Sequence, residues 1–236
     1  GKTTTILKSS LDPELLAGQV YRDQDIIPTS VINLWYSQQC ALVEAGASLR
    51  EDPRLWSRVI KRTRPRAYRS LFGAAAPIRA AVVCVSCESF LGATASETVI
   101  ASARATGQQL RNLSQQLGIE VPVYVILTKL DRIPNFAEFV RNLSNEEAAQ
   151  VFGISLPRTH TSAGLYADQA TKDISLAADK LAFSLGEFRL DLLPRENDQT
   201  KLPGIYEFPR ELRKLRNNLT AYLVELVRPS QLNTNP

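Results

Sequence analysis

The stretch "VPVYVILTKLD", residues 121–131, decides the fold. Its first eight residues carry no charge and are rich in Val, Ile and Tyr, after which "TKLD" turns polar. That pattern describes a strand inside a covered sheet that ends at a loop. A second run of the same kind, "IRAAVVCVS" at residues 78–86, lies upstream. Between them, residues 94–117 read as a helix, with Leu110, Leu113 and Leu117 on one face and Gly118 to end it. Strand, helix, strand at this spacing predicts a βαβ unit and a parallel sheet. Ligands in such sheets bind at the carboxyl ends of the strands.

Working outward, "SVINLWY" and "CALVE" are strand-like and separated by "SQQ", which predicts an antiparallel hairpin. Residues 11–29 read as irregular and polar. In "EDPRLWSRVIKR" Asp52 is placed to cap a helix, with Pro53 in its first turn. Downstream, Ile174, Ala178, Leu181, Leu185, Phe188 and Leu192 recur at helical spacing. "LPRENDQTKLPG" breaks that helix, and a second is expected over about residues 209–227, with Leu212, Leu215, Leu219, Tyr222 and Leu226 along one side. These stripes read as packing faces. The tail "RPSQLNTNP" reads as loose.

The 236 residues, 44% hydrophobic and 22% charged, suit an ordinary globular protein with a real core. A net charge of +4 is too small, taken over the whole chain, to argue for nucleic acid or a membrane surface. No apolar run is long enough to span a bilayer. Three cysteines, Cys40, Cys84 and Cys87, argue against a disulfide scaffold. Cys84 and Cys87 form a C-x-x-C, but at the end of a strand, so they read as core rather than redox residues. The single histidine, His160, has no clustered partners for a zinc site or a catalytic triad.

The chain opens on "GKTTT". A Walker A loop, G-x-x-x-x-G-K-[ST], cradles phosphates on backbone N–H groups. Its Lys reaches the β- and γ-phosphates, and its Ser or Thr holds Mg²⁺. Gly1, Lys2 and Thr3 match the last three positions, with Thr4 beside them. The preceding strand and first glycine are expected upstream. "TKLD" at residues 128–131 matches the [N/T]-K-x-D element of GTP-binding proteins. There the Asp131 carboxylate would accept from the guanine N–H and amino groups, and the Lys129 stem would pack over the ring. Each motif is weak alone, but their order around a βαβ unit is more specific. The D-x-x-G of the second switch should lie between them, and "LVEAG" stands there. Counting back from Gly46 puts Val43 at the Asp position, and a one-residue slip puts Glu44 there. Thr29 is the candidate for the first-switch threonine. That assignment rests on position only, and a plain loop threonine is the better reading there.

With these residues in hand, the chain resembles the IcmF/TssM proteins, the large inner-membrane component of bacterial type VI secretion systems. The likeness rests on "GKTT", on "AAVVCVSCESFLG", and on the phrase from "LGIEVPVYVILTKLD" through "FAEFV" to "VFGISLP". "EFPRELRKLRNNLTAYLVEL" resembles the family's later helical segment. The resemblance implies a P-loop, G-protein-like domain over residues 1–157 and a helical extension over 158–236. It implies membrane helices outside this segment and a place on the cytoplasmic face of the inner membrane. It further implies the partners TssL and TssJ and contact with the baseplate, with no nucleic acid.

Two functional readings follow. One is a structural and regulatory module whose site for GTP or ATP with Mg²⁺ is weak in catalysis. The other is an active P-loop NTPase whose hydrolysis drives or gates secretion, with Lys2 neutralising phosphate charge and Thr3 fixing the metal. The altered "LVEAG" favours the first, and no glutamine or arginine is marked by position as a catalytic group. If a nucleotide binds, Asp131 favours guanine.

Overall fold

A computed structural model describes residues 1–19, 29–64, 78–92, 95–156 and 166–228. The chain divides into two units. The first holds Gly1–Val85 and Gln108–Thr128, and the second holds Ser86–Gly107 and Lys129–Pro236. Residues 20–28 of the stretch read as irregular, His160 and almost all of the loose tail lie outside the described residues.

In the first unit, helix α1 (Lys2–Leu7) leads to three antiparallel strands: β1 (Glu14–Ala17), β2 (Ile32–Tyr36) and β3 (Ala41–Ala45). The expected hairpin is β2–β3, with a ladder running from Ile32 opposite Ala45 to Tyr36 opposite Ala41. Strand alternation turns Asn33 and Trp35 inward and leaves Tyr36 half exposed. β1 corrects the expectation of irregular chain from residue 11. "ELLA" is short and mostly exposed, so it shows no alternation by itself. Its pairing with β2, bulged between Leu15 and Ala17, makes it a strand. Gly18 follows at φ +132°, where a Cβ would stand 2.3 Å from the Asn33 side-chain oxygen.

Helices α2 (Ala47–Glu51) and α3 (Pro53–Thr63) come next. Asp52 caps α3 as expected, its carboxylate accepting from Arg54 N at 2.8 Å and Leu55 N at 3.1 Å. β4 (Ala81–Ser86) and β5 (Val123–Thr128) form a two-stranded sheet, joined through α4 (Ala95–Leu117). Ala81 N donates to Pro122 O and Thr128 Oγ1 to Val85 O, so both strands advance together and the pair is parallel. Gly118 ends α4 at φ +68°. Full burial of these strands is not what forms. Val82 is 51% and Tyr124 60% exposed. Two strands make a narrow sheet, and the apolar runs expected a wide one covered on both faces.

In the second unit, α5 (Phe136–Val140), α6 (Asn145–Ala148), α7 (Tyr166–Leu192), α8 (Leu202–Arg213) and α9 (Arg216–Leu226) pack together. Tyr166, Ala170 and Ile174 of α7 meet Val224 of α9 in one apolar cluster. Phe139 of α5 lies 4.7 Å from Phe208 of α8, ring centre to ring centre, and 6.3 Å from Phe188 of α7. Gly204 lets α8 come close to α5, since a Cβ would stand 2.9 Å from the Glu138 side chain. Ser144 and Glu147 cap α6 reciprocally. Arg195 then grips the Glu147 carboxylate with both guanidinium nitrogens, at 2.8 and 3.0 Å.

The single helix expected over residues 209–227 is two. Pro203 opens α8, Pro209 sits buried within it, and the turn at Lys214–Leu215 separates it from α9. Pro209 cannot donate to the carbonyl one turn back, yet its ring is buried in the packed face. Among the described residues no helix is long and apolar enough to cross a membrane.

Candidate functional site

Site residues from three separate parts of the sequence meet at α1. Gly1 caps the helix, and its carbonyl accepts from Thr5 N at 3.0 Å. Thr3 points inward and is 6% exposed. Its hydroxyl donates to Glu44 Oε1 at 2.6 Å and lies 3.5 Å from the Thr29 hydroxyl. The Asn33 amide donates to Thr29 Oγ1 at 2.9 Å and to Glu44 Oε2 at 3.1 Å. The Trp35 indole N–H donates to Glu44 Oε2 at 3.1 Å. Burial pushes the Glu44 carboxyl up, but hydrogen bonds from Thr3, Trp35, Thr29 and Asn33 outweigh it and hold the group below the ordinary carboxylate range.

The alternation of β3 sets the two candidates of "LVEAG" on opposite faces. Val43 is 42% exposed on the outer side, whereas Glu44 is 4% exposed and faces Thr3. Gly46 sits against the Thr29–Ser30 backbone, where a Cβ would lie 2.3 Å from Ser30 O and 2.5 Å from Thr29 O. Its N–H donates to Val31 O at 2.8 Å. Lys2 donates from Nζ to the Ala45 carbonyl. Desolvation and the nearby Arg50 charge lower the Lys2 pKa, and Glu44 opposes them. Thr4 is exposed, with its hydroxyl 3.5 Å from the Gly1 amino group.

Lys2, Thr3, Thr29, Glu44 and Gly46 therefore share one locality of the first unit. The network also holds Asn33 and Trp35, which sequence reasoning missed. The signal was an Asn inside the apolar strand "INLWY", two residues before a Trp on the same face.

Thr128 ends β5 in the same unit, its hydroxyl donating to Val85 O at 3.2 Å. Lys129 and Asp131 belong to the second unit. Lys129 adopts the left-handed conformation at φ 60°, and its carbonyl accepts from the Cys87 thiol at 2.7 Å. Its ammonium donates to Glu88 Oε2 at 2.5 Å, and Arg132 Nε stands 3.5 Å from Glu88 Oε1. The Lys129 hydrogen bond leads the effects that lower the Glu88 pKa. Asp131 is 70% exposed, with Arg132 at 3.7 Å.

Among the described residues no group of three or more His, Cys, Asp or Glu is placed to hold a metal. The donors at Thr3, Thr29 and Glu44 are all hard oxygens with one carboxylate held ionised. Mg²⁺ takes such a set when phosphate and water complete its shell, so these residues fit that ion.

The model of the IcmF-related N-terminal domain matches residues 51–236. The type VI secretion system component TssM1 of Pseudomonas aeruginosa (strain PAO1) is 27% identical over 252 residues, covering 100% of this chain and 21% of that protein. The chain thus spans about a fifth of the length of that curated relative. No solved structure matches. A family domain that covers most of the chain fixes its membership: this chain belongs to the IcmF/TssM family.

Proposed function

We propose that the chain is a structural and regulatory module of a type VI secretion membrane complex, with a phosphate-binding locality at the start of α1. The secretion role follows from the family and from the name of the relative. The inner-membrane setting, the cytoplasmic face and the partners TssL, TssJ and baseplate follow from the resemblance. So does the P-loop, G-protein-like reading of residues 1–157, with a helical extension over 158–236.

The observation that carries the nucleotide reading is the Thr3–Glu44 hydrogen bond at 2.6 Å, with Thr29 alongside. Lys2 would meet phosphate oxygens. Thr3, Thr29 and Glu44 would hold Mg²⁺, which supplies charge neutralisation when bound. Asp131 would select guanine. The test is equilibrium binding of fluorescent GTP and ATP with Mg²⁺ to the protein and to Lys2→Ala. Binding lost in the variant supports the reading, and turnover in the parent would favour the active NTPase. Equal binding by both, or none by the folded protein, leaves a scaffold that works through protein contacts.

A further inference from the structure

The chain's basicity is local. Residues 50–64 hold six cations against two carboxylates, a net +4, and the rest of the chain is neutral overall. Arg54, Arg58, Lys61 and Arg62 lie on the exposed side of α3, and Arg50 is exposed on α2 just before it. None of these five makes an ion pair among the described residues. One of the two nearby acids, Asp52, is engaged as the helix cap.

The other side of the helix is fixed in the first unit. Ile60 is 3% exposed, and Leu55 and Val59 are half-buried. Gln116 donates from its amide to Ser57 Oγ at 2.8 Å, and Gln109 donates to Arg50 O at 3.1 Å. The ridge is thus held outward on a rigid base. Arg54, Arg58 and Arg62 recur every four residues, a line about 12 Å long. Like charges at that spacing repel and weaken a helix. A polyanion laid along the ridge would relieve the repulsion.

We propose that this ridge docks the protein on an anionic lipid surface. A basic amphipathic helix is the usual form of such a contact, and here the apolar side is occupied by protein, so attachment rests on charge. The ridge carries no exposed aromatic or amide side chain to stack on or read a base. Trp56 is half-buried, with its indole nitrogen in the interior. Fluid headgroups can gather at each guanidinium, whereas a duplex offers its phosphates on a fixed track.

The test is co-sedimentation of the protein with vesicles of phosphatidylglycerol and phosphatidylcholine in equal parts, and with pure phosphatidylcholine. We expect binding to the anionic vesicles alone, weakening as salt rises from about 0.05 to 0.5 M as screening shortens. Replacing Arg54, Arg58, Lys61 and Arg62 together by Gln should cut the partition coefficient at least tenfold. Replacing the three arginines by Lys should largely preserve it, which separates loss of charge from loss of fold. Parent-like binding by the folded Gln variant, or equal binding to neutral vesicles, overturns the proposal. So does tighter binding to duplex DNA or to an acidic peptide at the same charge concentration.

Discussion

The Thr3 hydroxyl donates to the Glu44 carboxylate at 2.6 Å across forty-one positions of sequence, in the interior of the first unit. Glu44 also receives hydrogen bonds from Asn33 and Trp35, and so ties α1 and β2 to β3. Replacing Glu44 by Gln offers those donors a neutral group that can accept through one oxygen only. We expect a loss of about 1.5–3 kcal/mol, the range for hydrogen bonds to a charged group, measured by urea unfolding. An unchanged midpoint would show that the network contributes nothing.

The same carboxylate sets an acid limb. Its folded pKa lies below the ordinary value of 4.5, so its contribution is complete above that value and fades as pH falls through the folded pKa. Thermal unfolding followed from pH 7 downward should show this loss in the parent, and Glu44→Gln should flatten it. Parallel acid limbs in the two proteins would assign the pH dependence elsewhere.

Glu147 titrates at about 2, held down first by its hydrogen bonds from Arg195 and then by the Ser144 backbone N–H. Arg195→Ala should carry it back toward 4.5, seen as a shift in its carbon-detected titration by nuclear magnetic resonance. A midpoint still near 2 in that variant would place the cause in the helix cap.

Two glycines should respond in opposite senses to alanine. At Gly46 the added carbon would meet the Thr29 and Ser30 backbone at 2.3–2.5 Å, so Gly46→Ala should lower the melting temperature. At Gly186, inside α7, nothing lies within 4 Å, and Gly186→Ala should stabilise by about 1 kcal/mol through helix propensity. The same sign at both sites would refute the close approach at Gly46.

Asp131 is 70% exposed and sits beside Arg132. Asp131→Ala should leave stability within about 0.5 kcal/mol of the parent, as surface changes do. If the base reading holds, the variant weakens GTP more than ATP in fluorescent-nucleotide titrations. Equal losses for both would remove base selection.

The sequence carried those features that local chemistry determines. Asp52 followed by Pro53 marked the start of α3, and Gly118 marked the end of α4, because caps and left-handed turns depend on one or two residues. The β2–β3 hairpin was legible from two strand-like runs separated by the short polar "SQQ". β1 was not, because "ELLA" takes its shape from its partner. The split between α8 and α9 was hidden because Pro209 suggested a beginning where the packed helix instead tolerates it. At the site, counting from Gly46 left Val43 and Glu44 both open, and only the direction of the β3 side chains separates them. Asn33 escaped because a polar residue in an apolar strand acquires meaning only when Thr29 and Glu44 are brought to it.

Asn33 is held from two directions. Its carbonyl oxygen accepts from the Gln19 backbone at 2.8 Å, while its amide nitrogen serves Thr29 and Glu44. The side chain is a planar unit, so neither end can turn without the other. A pull on Thr29 or a change of partner at Glu44 is therefore a tug on the edge strand β1 through Gln19. The amide is a clasp that joins the chain leaving one edge strand of the sheet to the carboxylate that holds the third residue.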